Sequence, residues 1–105
     1  MQNQDLFLNK INFNMENNLK RYWFEFDIKI AFDYPPGIGM GCGVNALSKE
    51  DALKLMDEKI FFSINRPSII RAVENVDLSK LDQNHVIPNM KPPVGRCIWY
   101  PLGYD

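Results

Sequence analysis

From Tyr22 to Phe32 the chain alternates without a break. One face carries Tyr22, Phe24, Phe26, Ile28, Ile30 and Phe32; the other carries Trp23, Glu25, Asp27, Lys29 and Ala31. A period of two with aromatic and β-branched enrichment predicts a strand, because a helix would scatter the same apolar residues around its circumference. Asp33-Tyr34-Pro35-Pro36-Gly37 then supplies turn chemistry and ends it. A second strand is expected over Ile38 to Ala46, with Ile38, Met40, Cys42, Val44 and Ala46 on one face and Gly39, Gly41 and Gly43 on the other. Ser48, followed three residues later by Asp51, reads as a helix start, and Ala52, Leu53, Leu55, Met56 and Ile60 form its apolar stripe. That helix should end near Phe62, ahead of Asn65-Arg66-Pro67. Ile69 to Val76 and Val94 to Tyr100 read as third and fourth strands, separated by a polar, irregular stretch with a turn around Leu78-Ser79-Lys80-Leu81. The pattern therefore predicts an α+β fold: a four-stranded, mainly antiparallel sheet in the order β-β-α-β-β with one helix on one face. One helix covers only one face, so the second is expected to be solvated, covered by the N-terminal extension, or used for binding.

Residues 1–19 fall outside this pattern. Six of the eleven asparagines lie there and the apolar residues keep no period, so residues 1–19 are expected to be a loosely held extension and residues 20–105 a single α+β domain. The length of 105 residues allows one core and one domain. Twelve basic against thirteen acidic residues give a net charge of −1, which argues against a nucleic-acid binder or a polybasic membrane-surface protein. No secretory signal or spanning segment is visible, and a cytoplasmic location is expected. One histidine and two cysteines cannot close a structural zinc site, so neither metal nor cofactor is expected. Cys42 and Cys97 read as buried free thiols, with a disulfide as the alternative.

Gly37-Ile38-Gly39-Met40-Gly41-Cys42-Gly43 has neither the dinucleotide spacing nor the Lys-Ser/Thr of a phosphate loop. Glycine at every second position instead strips one strand face bare, so that an aromatic such as Trp23 can lie across it. A groove for a protein partner is the second reading of the same glycines. His85 has no local catalytic context, and the oxygens of Asp77, Ser79, Asp82 and Asn84 miss the calcium-loop pattern. Glu25 and Asp27 suit an acid–base pair only in spacing; with Trp23 they suggest an acidic, aromatic contact face for a basic partner. Trp99 and Tyr100 are expected on opposite faces of the fourth strand.

Three blocks carry a resemblance: Tyr22-Trp23-Phe24-Glu25-Phe26-Asp27; Gly41-Cys42-Gly43-Val44 with Ser48-Lys49-Glu50-Asp51-Ala52-Leu53; and Glu74-Asn75-Val76-Asp77 with Asn84-His85-Val86-Ile87-Pro88-Asn89-Met90 and Ile98-Trp99-Tyr100-Pro101. Together they resemble the small bacterial immunity proteins encoded beside polymorphic or contact-dependent toxins. The resemblance implies a non-catalytic cytoplasmic protein that binds a cognate toxin domain, often a nuclease, and neutralises it. The surface expected to do so comprises Trp23, Glu25, Asp27, Gly39, Gly41, Gly43, Asp77, Asp82 and Trp99. Two other classes stay open: a ligand-binding or enzymatic domain where the glycine strand meets the 77–93 loop, and a homo-oligomer burying an exposed Trp23 or Trp99.

Overall fold

The computed structural model describes residues 18–30 and 33–105. The expectations for residues 1–17, and for Ala31 and Phe32 at the end of the first strand, lie outside the described residues. The elements are β1 (Lys20–Phe26), β2 (Cys42–Ala46), α1 (Lys49–Lys59), β3 (Ile69–Glu74) and β4 (Cys97–Tyr100), with short 3-10 helices at Leu78–Lys80 and Ile87–Asn89. Among the described residues they form one antiparallel sheet in the order β3-β1-β2-β4 with one helix, the α+β fold that the periodicity predicts.

β1 and β2 are both shorter than the alternation suggests. β1 stops at Phe26, where its register with β3 shifts, and the Asp27 amide bonds the Ser68 carbonyl. The chain that would have extended β2 beside it is folded into turns, with Gly37 and Gly41 at φ of 95° and 133°. A strand needs a partner for its ladder, and left-handed glycines take residues 37–41 out of reach. Ile28 still packs against the core beneath, whereas Ile30 and Met40 turn outward.

The alternating face of β1 packs on α1. Tyr22, Phe24 and Phe26 join Cys42, Val44, Ala46, Ala52, Leu55, Met56, Ile60 and Ile98 in a helix-side core. Ser48 caps the helix as its spacing predicts, its hydroxyl accepting the Asp51 amide at 3.1 Å.

The other face is not open. Residues 76–90 fold across it and bury Val76, Leu81 and Val86 against Trp23, Cys97, Trp99 and Tyr100, with Val73, Leu78, Ile87 and Met90 partly buried around them. A second core built by residues 76–90 was not among the three expectations for this face, which were solvation, cover by the N-terminal extension, or binding. Its apolar residues lie too irregularly among Asp, Asn, Ser and Gln to show a period, yet each fully buried one contributes roughly 1.5–3 kcal/mol. Trp99 and Tyr100 also share this face, contrary to simple alternation. Gly43 pairs with Tyr100 and Val44 with Ile98, which makes Trp99 the extra residue of a bulge and turns both rings the same way.

Candidate functional site

Most residues expected to form a contact surface have structural work of their own. Trp23 and Trp99 are almost completely buried, their rings stacked with centroids 5.9 Å apart. An exposed aromatic face at these two positions is therefore corrected, and so is a homo-oligomer seated on either. They lie over the glycines instead: a Cβ at Gly41 would strike the Trp23 ring, and one at Gly43 the Trp99 ring. The indoles and the 76–90 cover fill the space where a partner groove or ligand pocket was expected between the glycines and the loop. Gly39 stands apart in an exposed turn with open space around it.

The acidic residues are held separately. Glu25 accepts the Trp23 indole N–H at 2.8 Å and is bridged by Arg71 at 3.1 Å. Asp27 lies beyond the end of β1 and pairs with Lys29 at 3.3 Å. Asp77 caps the first 3-10 helix, and its carboxyl is held below the usual range by the Ser79 hydroxyl and amide. Asp82 is lowered by the amides of His85 and Asn84, which it caps, with His85 Nδ1 3.2 Å away. These carboxylates brace loops and a buried indole.

Cys42 and Cys97 are both free and buried. They belong to cores on opposite sides of the sheet, so they do not face each other for a disulfide. Burial raises both thiols, and loss of solvation is the leading cause in each. Among the described residues no three His, Cys, Asp or Glu side chains converge on a metal position, and no helix is long and apolar enough to cross a membrane.

Of the eight exposed large hydrophobic residues among those described, four sit on segments that meet at one end of the sheet, while Met40, Leu47, Val94 and Leu102 lie elsewhere in the chain. Phe62 is 75% exposed, Ile70 67% and Ile30 56%, with Ile64 also exposed. The segments carrying them are tied together. Asp27 N–H bonds Ser68 C=O, Phe26 pairs with Ile69, and the Phe26 ring meets the Phe61 ring edge-on at 5.7 Å. Ile70 is the extra residue in the register shift of β3, which turns it out at the sheet edge. A concavity of about 580 Å³ adjoins the patch, lined by Asp57, Phe61, Ile64, Arg66 and Pro67 among others. Asp57 and Arg66 in its lining are ion-paired at 2.9 Å, and Arg71, next to Ile70 in the chain, pairs with Glu25 at 3.1 Å, so these charges are locally balanced.

Sequence reasoning passed over these residues. Phe62 served only to mark the helix end, and Ile70 read as one more apolar strand residue. An unpatterned Phe62 just past the last stripe residue was the available signal; nothing in the sequence marks the bulge at Ile70.

The chain matches no protein-family model, and no curated protein or solved structure shows significant similarity to it.

Proposed function

We propose that the chain is a non-catalytic protein-binding module, an immunity protein that binds and neutralises a cognate bacterial toxin domain in the cytoplasm. The observation that carries the binding role is the exposed apolar patch of Phe62, Ile70, Ile30 and Ile64 on three tied segments. Isolated exposed apolar residues need no explanation, but a group beside balanced charges suits a protein partner. The toxin assignment comes from the sequence resemblance. The docking face moves accordingly, from Trp23 and the acidic residues to the end of the sheet. These charges are paired rather than acidic, so the partner surface is expected to offer an apolar anchor, with charge setting orientation more than affinity.

Co-expression with the protein encoded by the adjacent gene tests the reading. The expected result is a stable complex and rescue of cells from that protein. Phe62→Glu and Ile70→Glu should each weaken the complex at least tenfold, corresponding to loss of a buried apolar anchor, with the unfolding midpoint unchanged. No complex and no rescue would sink the function; a complex that ignores both substitutions would sink the docking face.

A further inference from the structure

Arg21 and Asn45 are cross-strand partners on β1 and β2, two residues beyond the Trp23–Gly43 pair and on the same face. The indole layer stops short of them. A pocket of about 330 Å³ opens there, lined by Arg21, Asn45, Leu19, Pro93, Val94 and Gly95. Asn45 is only 6% exposed, and its Nδ2 donates to the Pro93 carbonyl at 2.8 Å. That bond fixes which way the amide points and leaves Oδ1 buried with no donor among the described residues. Arg21 Nε is likewise buried with no acceptor among the described residues. Among the described cationic side chains, Arg21 stands alone in being neither ion-paired to a described residue nor exposed.

A buried donor and a buried acceptor without partners are each costly, and the residues that carry them are cross-strand partners that line one pocket. We propose that this pocket binds a small uncharged amide whose C=O and N–H share one edge, a primary carboxamide or a lactam ring. The carbonyl accepts from the Arg21 guanidinium and the N–H donates to Asn45 Oδ1, while Leu19, Pro93 and Val94 supply apolar walls. A trans secondary amide points its two groups in opposite directions and satisfies only one of the pair. A carboxylate suits Arg21 but sets its second oxygen against Asn45 Oδ1. The volume lies at the small end of ligand pockets, and an arginine side chain reorients fast enough to meet an entering group. The proposal does not depend on the docking surface at the other end of β1.

Titration of the full chain, followed by nitrogen-15 NMR, tests it with five probes. Uracil and propionamide, both with a cis amide edge, should move the Asn45 side-chain amide and the Val94 and Gly95 backbone signals. N-methylacetamide and propionate should bind at least tenfold more weakly. 1,3-Dimethyluracil, which lacks every N–H, should move none, and this arm is read on the unaltered protein. Arg21→Met should lower the affinity for uracil about tenfold, the equivalent of one hydrogen bond, with the rest of the spectrum unchanged. Uracil binding without propionamide would select a ring ligand, and propionamide without uracil a side-chain or free carboxamide; either supports the proposal. Propionate binding as tightly as propionamide would overturn it in favour of an anion site. Silence from both uracil and propionamide at millimolar concentration would overturn it outright.

Discussion

Gly39, Gly41 and Gly43 look equivalent in the sequence and are not equivalent in the fold. A Cβ at Gly43 meets the face of Trp99, and one at Gly41 meets Trp23 and the Phe24 carbonyl while its φ of 133° strains any L side chain. Gly39 has open space around it. Overpacking beside a buried ring costs about 1–3 kcal/mol. Urea unfolding should therefore show Gly43→Ala destabilised by about 1–3 kcal/mol and Gly41→Ala by at least as much, because strain adds to the clash. Gly39→Ala should stay within about 0.5 kcal/mol of the parent. Equal effects at all three positions would contradict the stacking of indoles over glycines. The close approach of an aromatic was legible in the alternation of glycine with apolar residues. Which tryptophan covers which glycine was not, because that follows from the turn at 37–41 and the bulge at Trp99, and neither leaves a periodic trace.

At the scale of elements, the helix start was the most legible feature, since Ser48 and Asp51 act through local geometry. Asp51 does more than the capping spacing requires. Its carboxylate accepts the Leu47 amide at 3.0 Å and the Arg96 guanidinium through two nitrogens at 2.8 and 3.0 Å, tying α1 to the residue before β4. The hydrogen bond from Arg96 is the leading reason that the Asp51 carboxyl lies below its usual range. A carboxyl lowered by folding contributes stability above its unfolded value of about 4, and that contribution disappears as pH falls through the folded value. Arg96 is 39% exposed, so solvent screening limits the pair to about 1 kcal/mol. Arg96→Gln should lose about 1 kcal/mol in urea unfolding at pH 7, and the gap from the parent should shrink as pH drops below about 4. A gap that stays constant down to pH 3 would assign the effect to packing of the Arg96 stem. The lengths of the strands were less legible than the helix start, because each depends on whether a neighbour continues beside it. β1 ends where β2 has turned away, although its own alternation runs on.

At the scale of the molecule, the sheet separates two cores of different construction. The helix-side core closes under α1, while the loop-side core closes under residues 76–96, which contain only two short 3-10 helices. A cover with so little regular hydrogen bonding is expected to open more readily than a helix packed by Ala52, Leu55 and Met56. Each core holds one thiol, which makes the difference measurable. Cys42 lies wholly inside the helix-side core, whereas Cys97 donates to the Val94 carbonyl at 3.6 Å beneath the loop cover. Burial holds both thiols in their protonated, unreactive form until their own layer opens. Native-state alkylation, read by peptide mass spectrometry across low denaturant concentrations, should label Cys97 at least tenfold faster than Cys42. Its labelling should also depend only weakly on denaturant, as local opening exposes little surface. Cys42 should follow the global unfolding transition. Identical protection of the two thiols would show that the loop cover and the helix open as one cooperative unit, despite the sheet between them.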